Sequence, residues 1–596
     1  MGLETEYGII GATSEEVVEA CLEVARAEGR PEGVRWDYSG EFPLRDARGF
    51  EVDRSAVDPS LLTDVPGAPA VEGPVPGRSR TRTSAVVRLT RQEEAWQRGT
   101  ATCLPDGGRL YVDHGHPEYA TPECTGAAQA VLADRAGELL LSRAAELLRS
   151  RGTPARLFKN NVDGKGATYG THENYLVPRS VDFDDLVTGL VPFLVARPAL
   201  VGAGRVGRGV IADNADFQIC QRADYLETVV GLGTTTDRPI VNTRDEPHAD
   251  PQRWRRLHVI VGDANTFDTI AWLKLGMTSL VLEAMSDGLP DAWRALELTD
   301  PVAQARALSH DITAGYRLEL ADGRHLTADE LLRIYLDGVR EHLGRHSLPF
   351  PAPDGEPLAP DLASLADGLD ADGRETGALV AFWQAALDAL AGHRAGRAGA
   401  GACLEWAAKH ELVAAAAARH AGRQGEAVLH AIDLSWSELG ACLAERLDAG
   451  ARARSRLDPG RIEAALSAPP ETTRAWLRGA LIGRFPGQVF AAGWHSMVLE
   501  TGGKHHRRLP LTDPLAWTRQ LVGAAVGESS DVGQVLARLT DDLDASSPVT
   551  KLEDTDGGAP DTGAGAGGAH DTCTGGTPGV VHRRPRDWTA EAAQLD

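Results

Sequence analysis

Residues Gly107 to Cys124 read GGRLYVDHGHPEYATPEC, and this stretch decides how the rest of the chain is read. Side chains alternate between the two faces of a strand. Over 109–113 that alternation sets Arg109, Tyr111 and Asp113 on one face and Leu110 and Val112 on the other. The apolar pair can enter a core, while a cation, a phenol and a carboxylate project into one space. Glu118 comes five residues after Asp113, beyond a His-Gly-His-Pro bend. A lone acid on a strand is ordinarily a solvated or capping residue. Arg, Tyr, Asp and Glu within ten residues, bounded by Gly-Gly and Pro, argue instead for a site. Crowded carboxylates call for a cation, and hard Mg²⁺ accepts oxygen ligands.

Working outward, composition narrows the classes of function. A chain of 596 residues can bury one large core or several. Its formal charge of −24 argues against a nucleic-acid binder, which needs a basic surface to neutralise phosphates. Small molecules, cations and proteins are left as partners. The seven cysteines are scattered with no CxxC pair, as expected of a reducing compartment. The start, MGLETEYGII, lacks a basic segment followed by an apolar run, so no signal peptide is expected. No run of about 18 apolar residues offers a membrane span. The expectation is a soluble cytoplasmic protein with neither nucleic acid nor membrane as partner.

Upstream, 2–10 reads as a strand on which Glu4 and Glu6 share a face. Ser14, Glu15 and Glu16 signal the start of a helix that Gly29 stops. Arg35 to Phe50, RWDYSGEFPLRDARGF, mixes charges and aromatics without a period, and 58–82 is rich in Pro and Gly. Together 35–105 is expected to hold a mobile insertion whose aromatic half is functional. Downstream, 127–149 reads as an amphipathic helix and 156–161 as a short strand entering NNVDGKGATYGTHENYL. The Gly-Lys-Gly at 164–166 could cradle a phosphate, but its spacing is not that of a P-loop. His172 and Asn174 fall on one strand face. PIVNTRDEPHAD, 239–250, is a charged turn carrying Arg244, followed by a buried-type strand over 256–263 with His258 on an apolar run. Arginines held near carboxylates suit a phosphate or a substrate carboxylate. Residues 347–377 read as a low-complexity surface insertion. A smaller unit is expected from 429, including a strand over 484–500 that carries Trp494, and 544–596 reads as a disordered tail.

Taken together, GLETEYG, GGRLYVDHGHPEYATPEC, LFKNNVDGKGATYGTHENYL, NTRDEPHAD and RRLHVIVGDAN resemble the enzymes of the Pup system, over roughly residues 1 to 510. Pup is a small, disordered, ubiquitin-like protein modifier. The family has a ligase branch that joins Pup to lysines and a deamidase/depupylase branch that prepares Pup and removes it. The segment at 35–50 and the spacing of YVDHGHPEY look like the second branch. The resemblance implies an α+β fold similar to glutamine synthetase: a curved, mostly antiparallel sheet flanked by helices over 1–428, then a small C-terminal domain over 429–543. It implies ATP and Mg²⁺ as cofactors, Pup and pupylated proteins as partners, and a link to the proteasome system.

By the same resemblance, Glu4, Tyr111 and Glu118 look like ligands of one Mg²⁺, and Glu6 and His172 of a second. Arg109, Thr121 and Trp494 resemble nucleotide contacts, and Arg222 and Arg244 would hold phosphate or the Pup C-terminal carboxylates. Asp113 would be the catalytic carboxylate, either attacking the scissile carbonyl or activating water. Cys124, close by, has nothing evident to activate it. The implied reaction is Mg-ATP-dependent deamidation of the C-terminal glutamine of Pup and cleavage of Pup–lysine isopeptide bonds, with nucleotide bound but not consumed each turnover. The alternative is the ligase, which forms that bond and spends ATP.

Overall fold

The structure, a computed structural model, describes residues 1–53, 101–163, 167–207, 217–353, 360–420, 422–446, 457–501, 506–542 and 553–554. The Pro/Gly-rich stretch 58–82, the Gly-Lys-Gly at 164–166 and all of the tail but 553–554 lie outside these residues.

Seven strands form the main sheet: β1 (Gly2–Glu6), β2 (Val34–Arg35), β3 (Ala101–Cys103), β4 (Arg109–Asp113), β5 (His116–Ala120), β6 (Thr171–Pro178) and β7 (Trp254–Val259). Their order is β7-β6-β1-β5-β4-β3-β2, and every neighbouring pair is antiparallel. The predicted bend at His114-Gly115 is a two-residue hairpin turn in which both residues have positive φ, 46° and 90°. That backbone matches the twist of the flanking strands.

One face of the sheet carries Leu3, Tyr175, Leu257 and Val259 into the largest core, against α2 (Ala127–Ser150), α3 (Phe183–Ala196), α4 (Asp268–Met285), α5 (Ala328–Arg345) and α6 (Arg374–Arg394). Leu110 and Tyr119 pack with α1 (Ser14–Ala27) in a second cluster. The cap of α1 is Thr13 rather than the expected Ser14. Thr13 and Glu16 exchange hydrogen bonds as a capping box, worth about 1 kcal/mol. Ser14 is thereby released to donate to Gly115 O at 2.5 Å, which pins the hairpin tip beside Asp113.

The smaller unit is expected from 429. Position 429 falls within α7 (Gly422–Trp436), whose Leu429, Ile432 and Trp436 pack on the main core, with the Trp436 indole donating to Glu405 at 3.1 Å. The separate C-terminal core starts with Leu477 on α8 (Ala475–Arg484) and runs to Leu539, over the sheet β8 (Val489–Ala492), β9 (Ser496–Glu500), β10 (His506–Pro510) and β11 (Glu553–Asp554). This core also takes Val34, Trp36, Ala101 and Cys103 from the edge of the main sheet. Glu553–Asp554, expected in the tail, pairs with β10. Within 347–377, Leu362 and Ala366 are buried in the main core rather than lying on a surface excursion.

Residues 35–53 also depart from the expected mobile insertion. Trp36 is buried and donates to Glu41 at 2.6 Å, Asp37 pairs with Arg508, and Thr243 donates its hydroxyl to Asp46 at 2.7 Å. The segment is held by the C-terminal unit at one end and by the loop after 242 at the other. Trp494 lies not on a strand but in the turn between β8 and β9, closed by Gly493 N–H donating to Ser496 O at 2.9 Å. The apolar run on both sides hides that turn, and Gly493 is its one local signal.

Candidate active site

Directly opposed residues on antiparallel strands share a face, so register assembles the site. Tyr111 lies opposite Glu118, and Glu118 opposite Glu6. One step along, Arg109 lies opposite Ala120, Ala120 opposite Glu4, and Glu4 opposite His172. Asn174 lies opposite His258. The polar residues read from single strands thus meet on one face, with Asp113 at its rim beside the hairpin tip. Glu173 points the other way, into a buried bidentate pair with Arg197 at 2.7 Å.

Two groups of donors result. Glu6, Asp113 and Glu118 each bring an oxygen within 4.8 Å of the others, and so do Glu4, His172 and His258 with their oxygen and nitrogens. Cross-strand partners thus stand together, Glu118 with Glu6 and Glu4 with His172, and Glu4 is still close enough for its charge to act on Glu118 and Tyr111. Tyr111 joins the first group by donating its hydroxyl to Glu118. Glu6 accepts from Gly170 N–H at 2.8 Å and faces His116 Nδ1 at 3.4 Å.

The electrostatics fit a cation. Glu118 is 1% exposed and its Oε2 has no hydrogen-bond partner among the described residues. Burial, reinforced by Asp113, Glu6 and Glu4, pushes its carboxyl well above the usual range, as crowded acids do without a counter-ion. A divalent ion among these oxygens would remove that cost. At Glu4, burial is outweighed by the hydrogen bond with His172 and the charge of Arg256, which lies 3.3 Å away, and the carboxyl is held below its ordinary value. Burial and the Arg256 charge keep His258 neutral, the form that can ligate a metal.

Sequence reading missed Arg256 and His258 as members of this face. Arg256 donates to Asn174 at 2.9 Å, and His258 Nδ1 lies 3.0 Å from the same oxygen. The signal was the alternation in Arg-Arg-Leu-His-Val, which sets 256 and 258 on one face just as it does 4 and 6.

A cavity of about 560 Å³ opens from Glu4 and Arg256 past Thr121 to Trp494. Thr121 accepts from Leu3 N–H at 2.9 Å, so its hydroxyl oxygen also fastens β1 to the end of β5. Trp494 meets Trp36 edge to face, ring centroids 5.0 Å apart, and Arg478 lies 5.1 Å from its ring. Arg109 does not line the cavity. Its guanidinium sits 4.4 Å from the Trp36 ring and 4.0 Å from the Tyr111 ring, with Glu41 at 3.3 Å.

Arg222 is buried, with no ion pair among the described residues and an Nη1 that has no hydrogen-bond partner. Burial, then Arg238, lowers it to about 10 against the opposing charges of Glu6 and Asp263. Nε of buried Arg244 likewise lacks a hydrogen-bond partner among the described residues. Cations left unpaired inside a protein are costly, and both fit an incoming anion. Cys124 is buried, which pushes its thiol up to about 12 and removes it as a nucleophile at neutral pH.

Residues 1–498 match the family described as Pup-ligase protein. The chain is 38% identical over 558 residues to the Pup deamidase/depupylase of Mycobacterium tuberculosis, covering 91% of this chain and 98% of that one. It is 38% identical to a depupylase of Acidothermus cellulolyticus, covering 91% and 99%. A Pup–protein ligase of Actinosynnema mirum is 36% identical, covering 71% and 90%. Among solved structures, the complex of Pup with its ligase PafA matches with TM-score 0.63 and 26% identity, covering 91% of this chain and 95% of that one. PafA in complex with ADP matches with TM-score 0.60 and 29% identity, covering 79% and 98%.

Proposed function

The chain belongs to the Pup-ligase protein family, and we propose that it is a hydrolase that deamidates the C-terminal glutamine of Pup and cleaves the isopeptide bond between Pup and substrate lysines. The length of match favours this branch: relatives named depupylase align over 91% of the chain, the ligase of A. mirum over 71%. The observation that carries the chemistry is the position of Asp113. Its side chain is 22% exposed at the rim, while Glu118 behind it is buried. The outer carboxylate is thus the one that can meet a substrate carbonyl.

Mg²⁺ held by Glu4, Glu6, Tyr111, Glu118 and His172 would supply positive charge beside Asp113 and offset phosphate charge. ATP would take the cavity, with Trp494 flanking the adenine and Thr121 beside it, while Arg109, outside the cavity lining, would act through Tyr111 and Trp36, whose rings it stacks on. Arg222 and Arg244 would bind phosphate or the Pup C-terminal carboxylates. Asp113 then either attacks the carbonyl carbon, forming an anhydride that water opens, or takes a proton from a water that attacks. By either route the C–N bond breaks and the nitrogen leaves, protonated, as ammonia or a lysine amine. His114 Nδ1, 2.8 Å from Asp113 Oδ2, holds the orientation of the carboxylate.

No described helix is long and apolar enough to cross a membrane. The six described cysteines are all free and buried, which supports a reducing, cytoplasmic setting. The test is to supply Mg-ATP with Pup ending in glutamine and with a pupylated protein. Ammonia and free Pup are expected, without stoichiometric ADP. Conjugates formed from Pup ending in glutamate, with one ADP each, would assign the ligase instead. Asp113→Asn should lower both hydrolyses on the order of 10³-fold or more and leave nucleotide affinity intact. An active variant would refute the role of Asp113.

A further inference from the structure

Outside the catalytic face, one cluster has a ligand set of a different kind. His342 and His346 stand one turn apart at the end of α5, so both project from one side of the helix. Their rings lie 4.6 Å apart. Asp287, two residues past α4, reaches both: its Oδ2 is 3.0 Å from His342 Nδ1 and 2.5 Å from His346 Nε2. All three ligand atoms fall within 4.8 Å of one another. Arg345 Nη1 lies 3.4 Å from the same oxygen, and the other nitrogen of His342 faces Glu283 at 3.9 Å.

We propose that Asp287, His342 and His346 form a binding site for a divalent transition-metal ion of the zinc class. Two imidazoles and a carboxylate suit Zn²⁺, Co²⁺ or Ni²⁺, whereas the oxygen-rich catalytic face suits Mg²⁺. An ion about 2.0–2.1 Å from each ligand needs them roughly 3.3 Å apart, so the observed separations from Asp287 need widen by less than about 1 Å. Glu283, 3.9 Å from the other nitrogen of His342, is near enough to swing into hydrogen-bond reach of a ligating imidazole. Binding displaces the protons the rings share with Asp287 and turns the exposed Arg345 guanidinium away from the same oxygen.

The site would tie the end of α4 to the end of α5. Leu282, Glu283 and Ser286, at the end of α4, line one wall of the 560 Å³ cavity, so an ion here stiffens a wall of that cavity from behind. The ligands lie outside the catalytic face; only the use of Mg-ATP to keep Co²⁺ off the catalytic acids rests on the reading of that face, and the His172→Ala arm separates a failure of that reading from a failure of this one.

Co²⁺ is the probe, titrated into the full chain with Mg-ATP present to occupy the catalytic acids. One Co²⁺ per chain should bind with visible d–d absorption and be displaced by Zn²⁺, and Zn²⁺ should raise the melting temperature. His346→Ala, at an exposed position, and Asp287→Asn should each weaken Co²⁺ binding at least tenfold and abolish the Zn²⁺ shift. The proposal is overturned by no Co²⁺ absorption, by unchanged affinity in both variants, or by absorption lost only in His172→Ala, which would put the ion on the catalytic face. A melting temperature that Zn²⁺ leaves unmoved would reduce the cluster to a hydrogen-bonded helix end.

Discussion

Replacing Glu123 by Gln tests how the C-terminal unit is fastened to the catalytic sheet. Glu123 follows β5 and accepts from two buried arginines, Arg474 at 2.7 Å and Arg478 at both of its oxygens. Arg478 also donates to Gly107 O at 2.7 Å and to Trp494 O at 3.1 Å. One carboxylate thus links the start of the Gly107–Cys124 stretch, the end of that stretch and the tryptophan that faces the cavity. Burial opposes its ionisation, but Arg478 and Arg474 outweigh it and bring the carboxyl down from 4.5 to about 2. The two cations fare differently: at Arg478 the charges of Glu123 and its neighbours outweigh burial and raise it, while at Arg474 burial, with the like charge of Arg478 beside it, wins and lowers it.

Bringing the carboxyl from 4.5 to about 2, at about 1.36 kcal/mol for each tenfold change in proton affinity, amounts to about 3.4 kcal/mol. This agrees with the 3–5 kcal/mol typical of breaking a buried pair by removing one partner. Because the folded value is depressed, the contribution is complete above the ordinary carboxylate value and is lost as pH falls toward 2. The expected gap between wild type and Glu123→Gln, from urea denaturation, is about 3 kcal/mol at pH 7. The part of it due to Glu123 ionisation should shrink to about 1.4 kcal/mol near pH 3. Calorimetric titration with Mg-ATP should show weaker binding by the variant, because Trp494 loses its anchored partner. A gap below about 1 kcal/mol at pH 7, or one that does not change with pH, would refute the reasoning.

Glu118→Gln should weaken divalent-ion binding by tenfold or more without destabilising the metal-free protein. Since the folded carboxyl is raised above 4.5, the metal-free wild type should lose stability as pH rises above that value, and the variant should lack this slope in pH-resolved melting. Arg222→Met removes a buried cation that has no ion pair, so stability should hold or rise by about 1 kcal/mol while affinity for ATP or inorganic phosphate falls in calorimetry. Gly107→Ala, at φ 87° and with a new Cβ 2.9 Å from Ala475 O, should cost about 1–3 kcal/mol in urea denaturation.

Alternation and register explain how much was legible. Glu4 with Glu6, Arg109 with Tyr111 and Asp113, and His172 with Asn174 could each be paired on a face from their spacing alone. Antiparallel register then did no more than bring the pairs together. What spacing cannot supply is which strands are neighbours. It therefore could not show that Glu118 faces Glu6 and not Glu4, or that Arg256 and His258 complete the face from the far edge of the sheet. The segment at 35–53 is the extreme case. Its composition is that of a loop, and its order comes from distant partners: Arg508, 471 residues from Asp37, and Thr243, 197 residues from Asp46. No window of sequence contains such a contact. Yet Glu41 of that segment reaches Arg109, and its Trp36 meets Trp494. The stretch whose sequence carries the least periodic signal thus braces the two sides of the site, which is the place where local pattern and global structure are expected to part.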